Sequence, residues 1–123
     1  MVLSRDAIND LLKKGKILIT PKPELKEESV KIHFSEKLKL KPKSFVLSST
    51  SEKIKLTAGI VGLYDGYAKL ARQGVVTHLG SMFVESDTDG QLTLEIYNFT
   101  DKDITIEKGD RCGQLILMEV KLQ

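Results

Sequence analysis

Two carboxylates, Glu85 and Glu95, flank the turn-forming stretch Asp87-Thr88-Asp89-Gly90. The runs on either side, Met82 to Glu85 and Gln91 to Tyr97, read as the arms of a β-hairpin in which Gly90 relieves a tight backbone position. Such a hairpin would bring the two acids near one another. Paired carboxylates can move protons in acid–base catalysis; as solvated strand residues they do no chemistry. Leu92, Leu94 and Ile96 alternate with Thr93, Glu95 and Tyr97, which sets Glu95 on the face opposite the aliphatic row. Lys69 and Arg72 stand three residues apart, close enough on a helical turn either to receive a phosphate or to form an exposed basic turn.

The remaining candidates are more ambiguous. His78 can transfer protons near neutral pH or serve as a hydrogen-bonded strand residue, and the second role suits His33, set between Ile32 and Phe34, better still. Tyr64 and Tyr67 can stack on a base or pack in a core or interface. The lone Cys112 has no second cysteine or histidine at zinc-ligand spacing, so no protein-held metal is expected. No phosphate-binding glycine loop ending in Gly-Lys-Ser or Gly-Lys-Thr, no metal-binding histidine pair and no Gly-x-Ser-x-Gly turn is present.

Short strands must position these groups. Ser4 can cap a helix with Ile8, Leu11 and Leu12 on one face, ended by Lys13, Lys14 and Gly15. From Ile17 onward the pattern is one of short apolar or alternating runs: Ile17 to Ile19, Val30 to Phe34, Leu38 to Leu40, Phe45 to Leu47, Ile54 to Leu56 and Ile60 to Leu63. Further runs follow at Val75-Val76, Met82 to Val84, Leu92 to Tyr97, Ile104 to Ile106 and Leu115 to Val120. One short helix, closed by Gly74, interrupts them between Asp65 and Gly74. The charged, proline-bounded segment Lys22 to Glu28 reads as a surface loop. About ten short strands in one small domain predict an all-β barrel or double-sheet jelly roll.

A chain of 123 residues fits one domain, 1–123. With 41% hydrophobic and 29% charged residues it has the composition of an ordinary globular domain, and no apolar run is long enough to span a bilayer. A net charge of +2 makes no demand for nucleic acid or an anionic membrane. The unpaired cysteine and the absence of a basic, then apolar, opening segment predict a cytoplasmic protein.

Five stretches, in order, carry a family resemblance. Met1-Val2-Leu3-Ser4-Arg5-Asp6-Ala7-Ile8, with Leu11 to Ile17 and Thr20-Pro21, resembles the N-terminus of dCTP deaminases. Leu40 to Thr50 with Glu52, Leu70-Ala71-Arg72-Gln73-Gly74-Val75, Gly90 to Asn98 and Gly109-Asp110-Arg111-Cys112-Gly113-Gln114-Leu115 resemble later motifs of the dCTP deaminase and dUTPase superfamily. The resemblance implies a distorted jelly-roll β-barrel and a homotrimer with sites between subunits. It also implies pyrimidine deoxynucleoside triphosphate substrates, with Mg2+ on their phosphates. Deamination would turn dCTP and water into dUTP and ammonia. A non-catalytic trimeric nucleotide-binding or regulatory paralogue is the alternative, and a dUTP diphosphatase a second one.

Carried over by position, the resemblance makes Glu95 the acid–base group and Arg72 the residue that positions water and base, both facing one cleft between neighbouring barrels. Gln114 would line the phosphate region, and the backbone from Glu85 to Gly90 would read the pyrimidine edge. Glu85 takes the place of an aspartate that touches the sugar in deaminases and activates water in dUTPases; a shift of about 1 Å at such a position can cost on the order of a hundredfold in rate. Tyr67, Ala68 and Lys69 stand where the family places Arg, Ser and Ser, so a bidentate guanidinium and two hydroxyls are replaced. Thr88 stands where an aromatic packs on the deoxyribose, and Lys31 where an aspartate is expected. The sequence ends at Gln123, so a segment closing over the triphosphate is not expected within it.

Overall fold

The computed structural model describes residues 1–121. Ser4 caps α1 (Arg5–Lys13) by accepting the Ala7 N–H at 3.2 Å, with Asp6 in the first turn and Lys13 in the last, each favourable to the helix dipole. Ile8 is buried and Leu11 and Leu12 are half-buried, so the expected face does the packing. Before the helix, Leu3 N–H bonds to Leu117 O at 2.9 Å, which ties the N-terminus to the last strand.

Antiparallel ladders then build two main sheets. One has the order β1 (Leu18–Thr20), β5 (Phe45–Lys55), β9 (Asp89–Asn98), β7 (Val75–Val76). The other runs β2 (Glu24–Leu25), β3 (Val30–His33), β11 (Arg111–Glu119), β6 (Ile60–Gly66), β8 (Phe83–Val84). A ribbon of β4 (Leu38–Leu40) and β10 (Ile104–Ile106) stands apart from them, and α2 (Ala68–Arg72) bridges β6 and β7. Ile54, Leu94 and Ile96 from the first sheet and Val30, Ile32, Leu115 and Leu117 from the second share one buried cluster, the jelly-roll arrangement of two sheets around one core. No helix among the described residues is long and apolar enough to cross a membrane.

Three local expectations need correction. The hairpin is not a ladder: β8 pairs with β6, whereas β9 pairs with β5 and β7, so the Asp87–Gly90 turn carries the chain from one sheet to the other. The run Phe45–Leu47 and the start of the run Ile54–Leu56 belong to one long strand that ends at Lys55, because the polar stretch between them stays paired on both sides of a register shift between Ser49 and Lys53. Within the Lys22–Glu28 loop, Glu24 and Leu25 form a short edge strand against β3.

Polar groups in the interior are fully partnered. Glu52, 4% exposed, accepts the His33 N–H and faces His33 Nδ1 at 2.6 Å, while Glu24 faces the other ring nitrogen at 3.2 Å. The fully buried Asn98 donates to the carbonyls of Leu40, Lys41 and Lys102 and accepts from Thr100 N–H and Oγ1. Thr50 links β5 to β9 by accepting the Leu92 N–H at 3.0 Å. Among the described residues no buried side-chain polar atom lacks a partner.

Candidate functional site

Glu95 projects from the outer face of β9, as the alternation predicted, with Leu94 and Ile96 buried on either side of it. Its own N–H bonds to Thr77 O at 3.1 Å, which draws the segment after β7 alongside. That segment bends so that the N–H groups of Leu79 and Gly80 both donate to Glu95 Oε1, at 3.1 and 2.6 Å. A side chain at position 80 would set its Cβ 3.3 Å from Glu95 Oε2, so glycine suits this close approach. The Gly80 amide, then the Leu79 amide, hold the Glu95 carboxyl below its ordinary range against a small desolvation cost, helped by the Ser81 amide and His78.

A cleft of about 180 Å³ lies in front of this carboxylate, walled by Tyr64, Met82, Phe83, Leu92 and Thr93. Tyr64 stands at its base. The phenol hydroxyl meets Thr77 Oγ1 at 2.8 Å and Cys112 O at 3.0 Å, and the ring meets His78 edge-on with centroids 5.4 Å apart. Burial raises the Tyr64 phenol far above its usual value and pushes the Cys112 thiol up to about 12, so neither is ionised near neutral pH. Gly113 is required beneath them: a Cβ there would stand 2.5 Å from the Tyr64 hydroxyl and 2.4 Å from Asp65 O.

Next to it, a cleft of about 340 Å³ is lined by Asp65, Tyr67, Ala68, Ala71, Thr77 and His78. Ala68 offers no side-chain donor to this space. On the other side of Tyr67 lies a third cleft, of about 360 Å³, which also touches Lys69 and Arg111. Arg72 ends α2, is exposed, and has no hydrogen bond or ion pair among the described residues. It lines none of these three clefts.

The matching family model is the dCTP deaminase-like domain, over residues 24–120. The chain belongs to the dCTP deaminase-like family. It is 36% identical over 91 residues to a "dCTP deaminase, dUMP-forming" of Corynebacterium glutamicum (strain R), covering 74% of this chain and 48% of that one. With the protein of that name from Corynebacterium diphtheriae identity is 37% over 91 residues, covering 74% and 49%. This dCTP deaminase-like chain therefore spans about half the length of the curated relatives it matches. Among solved structures it resembles the dUTPase of Staphylococcus bacteriophage 80alpha (TM-score 0.72, 17% identity, 89% and 93% of the two chains). A mutant dUTPase of phage phi11 of S. aureus is similar (TM-score 0.74, 15% identity, 87% and 92%), as is the EIAV dUTPase (TM-score 0.69, 15% identity, 84% and 88%). At these identities the likeness establishes a shared fold.

Within one copy of this family member the expected site residues occupy separate places. Glu95 lines its cleft together with Phe83 and Val84 of β8, but Glu85, exposed just beyond the end of that strand, is not among the residues lining it. Glu85 contributes its carbonyl to the Thr88 N–H at 3.1 Å, and Thr88 O in turn accepts the Leu56 N–H at 3.0 Å, so this turn is tied to the end of β5. Gly90 takes φ +140° at the start of β9. Gln114, on β11, is held at both ends of its amide by Ser29 and Asp65, at 2.9 and 2.8 Å. Sequence reasoning missed the Leu79 and Gly80 amides. The available signal was a glycine in an exposed, strand-free segment directly after His78.

Proposed function

We propose that this chain is a dCTP deaminase-like enzyme of pyrimidine deoxynucleoside triphosphates, converting dCTP and water to dUTP and ammonia. The observation that carries the reading is Glu95: an ionised carboxylate fixed by two backbone amides at the wall of a cleft, within a chain that belongs to this family. In the reaction Glu95 takes a proton from the water that attacks the amino-bearing carbon of cytosine and passes it to the departing amine, which leaves as ammonia. Amide hydrogen bonds to the charged form orient the carboxylate and keep it ionised before water arrives.

Arg72 supplies the positive charge that orients the base, and it does so between copies of the chain in a homotrimer. Its exposure and lack of partners among the described residues of one copy support that arrangement, as do the exposed Phe45, Leu47, Leu79, Phe83 and Phe99, which a neighbouring copy would cover. Mg2+ enters as part of the substrate, on the triphosphate; among the described residues no three His, Cys, Asp or Glu side chains gather into a metal-holding group. The name "dUMP-forming" borne by the relatives makes pyrophosphate a second product to look for.

Ala68 favours a second reading, a non-catalytic trimeric nucleotide-binding or regulatory protein, because its side chain gives a phosphate nothing to bind. A dUTP diphosphatase is less well supported, since Glu85, the carboxylate it would use, lies outside the Glu95 cleft. The test is incubation with dCTP or dUTP and magnesium while ammonia and pyrophosphate are followed. Ammonia from dCTP that disappears with Glu95→Gln supports the deaminase. Pyrophosphate from dUTP without ammonia from dCTP supports the diphosphatase. No product, with a melting temperature raised by dCTP or dTTP, supports the binder.

A further inference from the structure

The cleft on the far side of Tyr67 has no role in the chemistry above, yet it holds two uncommitted cations. The Arg111 guanidinium lies 4.7 Å from the centroid of the Tyr67 ring, and its one hydrogen bond among the described residues runs from Nε to Gly113 O at 3.3 Å. Both terminal nitrogens are therefore left for a ligand. Lys69, exposed on α2, lines the same cleft and has no hydrogen bond or ion pair among the described residues. The one carboxylate there, Asp110, accepts the Glu107 N–H at 2.9 Å and pairs with neither cation. Ile104 and Ile106 supply apolar surface, and Thr105 and Gln73 polar groups, around a volume of about 360 Å³.

A guanidinium stacked on an aromatic ring is fixed in plane, and its outward fork matches two oxygens of a phosphate. An ammonium nearby adds a point charge that follows a flexible anion. We propose that this cleft binds the polyphosphate of the nucleotide, with Arg111 gripping one phosphate on its Tyr67 backing and Lys69 a second. The position of the polyphosphate rests on the nucleotide reading above; the ability of the cleft to hold a polyphosphate does not.

Calorimetric titration of the full chain at low salt, without magnesium, with inorganic tripolyphosphate, dCTP and deoxycytidine separates the two. Tripolyphosphate is expected to bind, more weakly as salt rises, and to lose about tenfold or more in affinity with Lys69→Gln and again with Arg111→Gln. Arg111→Lys keeps the charge without the stacked fork and should fall between. Should Arg111→Gln fail to fold, Lys69→Gln on the exposed helix surface decides alone. Failure of tripolyphosphate to bind, or equal affinity in the variants, overturns the proposal even if dCTP is deaminated. Tripolyphosphate binding that depends on Lys69 and Arg111, with dCTP no better than tripolyphosphate and no product formed, keeps the cleft as a polyphosphate site and removes the nucleotide.

Discussion

The polar interior around Glu52 and Asn98 and the polar surface around Glu95 and Lys69 use the same kinds of side chain in opposite ways. Inside, each group is met on every side: Glu52 by His33, Asn98 by three carbonyls and a threonine. Outside, the carboxylate is held by amides on one edge and faces a cleft with the other, and the cations Lys69 and Arg72 have no partner among the described residues. Saturation makes a polar group part of the fold, since a lost partner leaves a buried group desolvated. Incomplete saturation on the surface leaves binding capacity. Substitutions in the two regions should therefore separate loss of stability from loss of chemistry.

Glu52→Ala should have the largest effect. It strands the His33 backbone N–H and takes the buried one of two carboxylates from the imidazole, and should cost about 3–5 kcal/mol in urea denaturation. A loss under about 1 kcal/mol would place Glu52 with the surface groups instead. Asn98→Ala removes a side chain that joins β9, the end of β4 and the turn before β10, and a loss of about 2–4 kcal/mol is expected. Variants of the two cations, in contrast, should change the urea midpoint by no more than about 0.5 kcal/mol equivalent, as usual for exposed positions.

Alkaline pH probes the interior without mutation. Burial raises the Tyr64 phenol and takes the Cys112 thiol from an ordinary 9.0 up to about 12, so the unfolded chain gives up these protons first. The stabilisation is complete below the ordinary values and is lost as pH climbs through the range between them and the raised ones. Between pH 8 and 11 the loss should be about 3–4 kcal/mol by urea denaturation, and Tyr64→Phe together with Cys112→Ala should flatten it. A slope unchanged in the double variant would mean that other groups carry the alkaline limb.

How much of this was legible in the sequence follows the same division. Local signals gave the capped helix at Ser4, the interrupting helix ended by Gly74 and the outward face of Glu95, because caps, positive-φ glycines and a period of two are written in neighbouring residues. Gly74, for instance, takes φ +90°, with Thr100 Cγ2 2.4 Å from where a Cβ would stand. Pairing across distance was not legible. The run from Met82 to Tyr97 has the look of a hairpin, yet its arms find partners in β6 and β5, and no feature of the run itself names those strands. The Leu79 amide has no residue-type signature, and the glycine at position 80 is the one local sign of the close approach to Glu95. Arg111 enters the sequence only as part of the Gly109–Leu115 stretch, because its approach to the Tyr67 ring joins residues far apart in the chain.

Glu95→Gln yields the smallest change in stability and the sharpest contrast with Glu52→Ala. The glutamine oxygen can still accept the Leu79 and Gly80 N–H bonds, so the segment stays in place. What disappears is the preference of those amides for a negative charge. Because the amides lower the carboxyl below its ordinary 4.5, the wild-type advantage is complete above that value and is lost as pH falls through the lowered one. Melting temperatures taken from pH 7 down to pH 3 should show a small gap in favour of wild type that closes at the acid end, while ammonia release from dCTP is already absent at pH 7. A gap that stays constant, or one that opens on acidification, would mean that the amides do not stabilise the ionised carboxylate, and Glu95 would lose its claim to be a base held ready in a cleft.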